Sequence, residues 1–211
     1  MTNLILMLTV IVVLFCLGAS RLLTIIYLIA FQGFLVSILP LFLNEEIFLN
    51  ALFFATFTLL IKVFLIPALI YFAMKKVAIK RELEPIIGYN ASIFSGLVII
   101  IVSIFISKKF NLPINQNNIF LLPAGITAIA SGIFLIIARK KAITQVIGYL
   151  MMENGIYIIG LILSNHNQYM VEFGVLLDVL VGVMLMGIVL HNINRAFDDI
   201  DTTLLKSLRD L

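Results

Sequence analysis

ITQVIGYLMMENGIYIIGLIL, residues 143–163, is 21 residues of nearly unbroken apolar sequence with one charged side chain, Glu153. A hydrocarbon core about 30 Å thick is crossed by roughly 20 helical residues, so this stretch reads as a transmembrane helix. Glu153 lies ten residues from its start, about 15 Å deep at 1.5 Å per residue. A charge at that depth costs on the order of 2.5–3.5 kcal/mol on insertion scales. Such a residue faces protein or water, and it is a candidate for function.

The rest of the chain has the same character. Of 211 residues, 63% are hydrophobic and 12% charged, with a mean hydropathy of +1.19, well beyond soluble domains. Further apolar spans fall at 4–19, 22–43, 47–74, 92–107, 119–138 and 171–192. The fold expected is therefore an all-α integral membrane protein of about seven transmembrane helices. The start, Met-Thr-Asn followed at once by an apolar run, lacks the basic region and small-residue cleavage site of a signal peptide, and reads as a retained helix.

Seven crossings sort the charges. Arg21, Lys75, Lys76, Lys80, Arg81, Arg139, Lys140, Lys141, Arg195, Lys206 and Arg209 fall on one side, eleven of the fourteen basic residues. Lys108 and Lys109 fall on the other, and Lys62 is inside a span. The positive-inside rule then places the N-terminus outside and the C-terminus in the cytoplasm of a multi-pass cell-membrane protein. These short basic groups act as topology signals and do not form the continuous face that nucleic acid requires. Tyr27, Tyr71, Tyr89 and Tyr169 supply an interfacial belt in a chain without tryptophan. In the tail, 198–211, leucines 204, 205, 208 and 211 share one face of a short helix suited to a cytoplasmic partner or to the membrane surface.

An internal repeat is consistent with this topology. YLIAFQGFLVSIL (27–39) lays over YLMMENGIYIIGL (149–161) with Gly33 on Gly155 and Gln32 on Asn154, and Lys62 then falls over Asp178. The expected organisation is a three-helix unit at 1–91, a connecting helix and outer loop at 92–117, a second three-helix unit at 118–195 and an amphipathic tail at 196–211.

Three charged residues lie deep in spans: Lys62, Glu153 and Asp178. Gly174, Asp178 and Gly182 share a stripe along which another helix can approach closely. Gln145, Tyr149 and Glu153 form a polar stripe from the helix end to the midplane, with Asn154 beside it. Thr58 pairs with Lys62 on one face, and Pro67 removes the backbone bond to Val63 just beyond. Burial disfavours the charged form of a carboxyl and a nearby lysine favours it, which is the chemistry of a proton relay. The same residues also suit a second reading, a static pair that packs helices. His191 at a helix end and Glu172 near the outer surface are lesser candidates for entry and exit groups.

Cys16 is the single cysteine, so neither a disulfide framework nor a cysteine-held cluster is expected. No His or Cys set has metal-ligand spacing, and no nucleophile–base arrangement or phosphate-cradling loop is present. No cofactor, metal or catalysis is expected of the chain itself.

With these residues in place, a family resemblance emerges. ARKKAITQVIGYLMMENGIYIIGLIL (138–163), VEFGVLLDVLVGVMLMGIVLHNINR (171–195) and LLIKVFLIPALI (59–70) together resemble component E of hydrogenase-4, a membrane subunit of formate hydrogenlyase-type complexes. Residues from about 118 onward are similar to the K subunit of bacterial complex I and the C subunit of multisubunit sodium/proton antiporters. The resemblance implies a membrane subunit of a respiratory complex, set in the bilayer beside antiporter-like subunits, that helps couple redox energy to proton or sodium movement. It also implies that Asp178 stands where the K subunit has the second of two glutamates important for proton transfer. Glu153 falls three residues after the place of the first, nearly one helical turn. A purely structural subunit bridging antiporter-like and redox subunits is the alternative, and a cation/proton antiporter subunit is another.

Overall fold

The computed structural model describes residues 1–43, 56–77, 85–110, 119–163 and 187. Six helices run through them: α1 (Thr2–Gly18), α2 (Leu22–Leu43), α3 (56–77), α4 (Tyr89–Ser107), α5 (Leu121–Ala138) and α6 (Ala142–Leu163). Five are long and apolar enough to span a membrane, and α1 is a shorter apolar helix. The protein is an all-α, multi-pass membrane protein. The expected seventh span, 171–192, lies outside the described residues, as does the tail.

The packing is that of a bundle built for lipid. Large apolar side chains point outward, with Phe105 70% and Phe94 68% exposed, because bilayer chains solvate them as well as a protein core would. Small residues face inward where helices meet. Gly132 and Gly125 of α5 lie against Gly148 and Gly155 of α6; a Cβ at Gly132 would fall 2.5 Å from the Gly148 carbonyl oxygen, and one at Gly155 2.7 Å from that of Gly125. The seven-residue spacing on both helices keeps these glycines on one stripe, which makes α5–α6 a close antiparallel pair. A short turn at 139–141 connects them, as 19–21 connects α1 and α2.

Helices α1, α2, α6 and α5 close a ring in which each packs on the next, while α3 lies against α2 and α6, and α4 against α1 and α5. The buried apolar residues form two clusters. One gathers Leu6, Val36, Leu39, Ala124, Tyr157 and Ile158 towards one end of the ring. The other, larger, includes Val13, Ile25, Ile29, Leu135, Ile147 and Met151.

Arg139, one of the expected topology charges, is 1% exposed. Its guanidinium donates to the carbonyls of Ile87 at 2.9 Å and Leu17 at 2.8 Å, and lies 4.6 Å from the Tyr89 ring centroid. Leu17 is in the last turn of α1, whose carbonyls have no intrahelical donor. The arginine fork therefore ties the ends of α1 and α5 and the start of α4 together. The Ala138 carbonyl reinforces the knot by accepting from the Ile86 and Ile87 amides.

Candidate functional site: a buried lysine–glutamate pair

The site begins with an irregularity in α3. Leu60–Leu65 forms a π turn, in which the Ile66 N–H donates to the Ile61 carbonyl five residues back. Pro67, with no N–H, cannot continue a regular ladder through this point, and a widened turn is the local solution. Lys62 sits within it. Its backbone is pressed against α2 at Gly33, where a Cβ would lie 3.0 Å from the lysine Cβ. Absence of a side chain at position 33 allows α3 this close.

From there the lysine side chain reaches across to α6. Its Nζ donates to Glu153 Oε1 at 2.6 Å and to Asn154 Oδ1 at 3.0 Å, and lies 5.5 Å from the Tyr157 ring centroid. Residues 153, 154 and 157 occupy neighbouring positions on one side of α6, so a single helix face presents a carboxylate, an amide and an aromatic ring to one ammonium. The side chains of Lys62 and Glu153 are 4% and 2% exposed. This is a charge-assisted hydrogen bond in a low-dielectric interior, where its electrostatic component is far larger than at a surface. Beside it lies a cavity of about 10 Å³ lined by Gly33, Lys62, Pro67 and Asn154 among others. The second carboxylate oxygen, Glu153 Oε2, is buried and finds no hydrogen-bond partner among the described residues.

The structure thus unites Lys62, Glu153 and Asn154. Thr58, four residues before Lys62, is buried on the same helix, and Tyr149 is half-buried one turn before Glu153. Gln145, at the start of the expected stripe, donates through Nε2 to the Arg139 carbonyl at 3.0 Å and so fastens the α5–α6 turn. Asp178, Glu172 and His191 lie outside the described residues. Among the described residues, no group of three or more His, Cys, Asp or Glu gathers at metal-binding distance.

Two buried polar residues were not among the expected site residues. Gln32 of α2 is 0% exposed with both amide atoms unpartnered, and Ser131 of α5 is 0% exposed with its hydroxyl unpartnered, among the described residues. A signal for Gln32 does exist in the sequence: it is the one amide within a 22-residue apolar helix.

Comparison with known proteins adds a distant kinship. No family model matches the chain, and no solved structure matches it. An uncharacterized protein of Mycobacterium tuberculosis is 28% identical over 193 residues, covering 88% of this chain and 86% of that protein. Hydrogenase-4 component E of Escherichia coli is 22% identical over 148 residues, covering 70% of this chain and 68% of that protein. The Shigella flexneri component E matches to the same extent. The chain is distantly similar to a hydrogenase-4 component.

Proposed function

We propose that this protein is a membrane subunit of a hydrogenase-4-type respiratory complex related to formate hydrogenlyase and complex I, and that it contributes to proton or sodium movement driven by redox chemistry in partner subunits. The observation that carries this reading is the Lys62–Glu153 pair, a bonded acid and base buried between α3 and α6 of a membrane bundle. An ionisable residue inside a membrane span is by default a candidate for an ion or proton route. The distant likeness to hydrogenase-4 component E supplies the kind of assembly in which such a route would work.

On this reading Glu153 alternates between two states. As a carboxylate it accepts from Lys62 through Oε1. A proton arriving at Oε2 neutralises the carboxyl, weakens its hold on the ammonium, and leaves Asn154 Oδ1 and the Tyr157 ring to retain the lysine. Loss of the proton restores the pair. Asp178 would be the next acid along the route, Glu172 and His191 would lie towards its ends, and antiporter-like subunits would border it. The basic residues orient the chain with its N-terminus outside and its C-terminus in the cytoplasm.

A second reading is favoured by the completeness of the same contacts: a pair already closed at 2.6 Å also serves to lock α3 onto α6 in a purely structural subunit. Ion uptake by vesicles containing the whole complex separates the two. With Glu153→Gln or Asp178→Asn, assembly and electron transfer should persist while uptake falls. Unchanged uptake with an intact complex would leave the structural reading.

A further inference from the structure

The small cavity beside the lysine pair has the makings of a site of its own. Three mutually packed helices line it: Ile29 and Gly33 come from α2, Lys62, Ile66 and Pro67 from α3, and Leu150 and Asn154 from α6. Its polar side chains are Lys62 and Asn154, 5% and 3% exposed, set among buried aliphatic ones. The volume, about 10 Å³, is near the least that admits one water molecule and leaves no room for anything larger.

Donors and acceptors meet at this gap. Lys62 Nζ donates to Asn154 Oδ1 at 3.0 Å. An ammonium can only donate, so the contact fixes the amide: its oxygen faces the lysine, and its nitrogen, with two N–H donors, faces away. On α3, Pro67 has no N–H to give to the carbonyls of the preceding turn. Proline breaks in membrane helices are accommodated by local π turns, by neighbouring groups and by ordered water. The π turn is present at Leu60–Leu65, and the cavity lies against it. The Lys62 carbonyl oxygen stands beside Gly33, 3.4 Å from where a Cβ would be. A buried water makes about three hydrogen bonds to polar groups, and an amide donor on α6 with backbone acceptors on α3 meets that need across a gap of its own size.

The geometry points to one ordered water in this cavity, accepting from the Asn154 amide and donating to a carbonyl of the α3 π turn. The site lies on one side of the pair. Ile29, Ile66 and Leu150 belong to the larger apolar cluster, and none of the lining residues belongs to the smaller. The larger cluster extends to Leu17, Leu22 and Ile143, at the end of the bundle whose turns carry Arg21, Lys140 and Lys141. Water therefore adjoins the pair on the face towards that basic end, and it adjoins Lys62, since Glu153 is not among the lining residues. Its role rests on the proposed function: when Glu153 is protonated and its hold weakens, the water is the acceptor to which the ammonium turns. Asn154 is a positioning residue for that water.

The test is a map of the full-length chain in its membrane complex at a resolution that shows ordered water, for the wild type and for Asn154→Leu. Density in the cavity within hydrogen-bond distance of the Asn154 amide and of a carbonyl in 60–65, lost or displaced in the variant, is the expected result. A resolved but empty cavity, a side chain or lipid chain filling it, or density unchanged in Asn154→Leu would overturn the assignment. If the variant does not assemble, the wild-type map decides together with radiolytic hydroxyl labelling of the wild-type complex. Label at Ile66, Pro67 or Leu150 should exceed that at Ile147 and Ile158, both 0% exposed; equal protection of all five would count against the water. A dry cavity beside an ion uptake that still depends on Glu153 would remove the water site only, whereas a hydrated cavity with uptake indifferent to Glu153→Gln would remove the proposed function and leave the water.

Discussion

Replacing Lys62 by methionine keeps much of the side-chain volume and removes the charge, which strands Glu153 in the bundle. At 2.6 Å and an effective dielectric constant of about 20, the gross attraction between the two charges is about 6 kcal/mol. Desolvation of both ions offsets a large part of it, yet removal of one partner from a buried pair still costs about 3–5 kcal/mol because the remaining charge is uncompensated. Lys62 also donates to Asn154, so the upper part of that range is expected. Glu153→Gln alone leaves an ammonium with Asn154 Oδ1 and the Tyr157 ring and should cost less. The double variant, Lys62→Met with Glu153→Gln, should recover much of the loss, since neither charge remains buried. The assay is a double-mutant cycle on the stability of the purified protein in one detergent, read by thermal unfolding alongside the yield of assembled complex. Effects of the two single substitutions that simply add in the double variant would refute the claim that these side chains form an energetically coupled pair.

Three other substitutions and probes follow from the packing. Gly132→Ala should destabilise by about 1–3 kcal/mol, because its Cβ meets Gly148 and Met152 backbone, whereas Gly88→Ala, with nothing within 4 Å, should be neutral; thermal unfolding of the two variants compares them. Arg139→Lys should loosen the end of the bundle where α1, α4 and α5 meet, since a point charge cannot reproduce the fork that binds the Leu17 and Ile87 carbonyls; limited proteolysis near 85–88 should quicken, and an unchanged cleavage rate would contradict the knot. Cys16 is 0% exposed inside α1, so a maleimide should label it only after denaturation. Rapid labelling of the native protein would show that α1 packs elsewhere.

Much of the fold was legible because lipid imposes a simple rule on sequence. The expected span 143–163 meets a helix at Ala142–Leu163, and 92–107 meets one at Tyr89–Ser107. The depth of Lys62 and Glu153 could be read for the same reason, since each charge stands against an apolar background. Their partnership could not: 91 residues separate them, and periodicity fixes the face of each helix but not the neighbour it meets. The π turn was foreshadowed by Pro67, which marks a break in the ladder without saying how the helix accommodates it. The burial of Arg139 was not legible, because the carbonyls that hold it, those of Leu17 and Ile87, are remote in sequence. The bond from Gln145 to the Arg139 carbonyl could not be read from the stripe either, since it depends on how the 139–141 turn folds back.

The central claim is that Glu153 changes its protonation state as the complex turns over. Redox-triggered infrared difference spectroscopy of the intact complex in membranes observes this directly, because a neutral carboxyl and a carboxylate absorb at separate frequencies. A carboxyl band that changes on turnover in the wild type and disappears in Glu153→Gln, with electron transfer preserved, is the predicted result. Identical carboxyl difference spectra for the two would contradict the account and leave Lys62 and Glu153 as a fixed brace between α3 and α6.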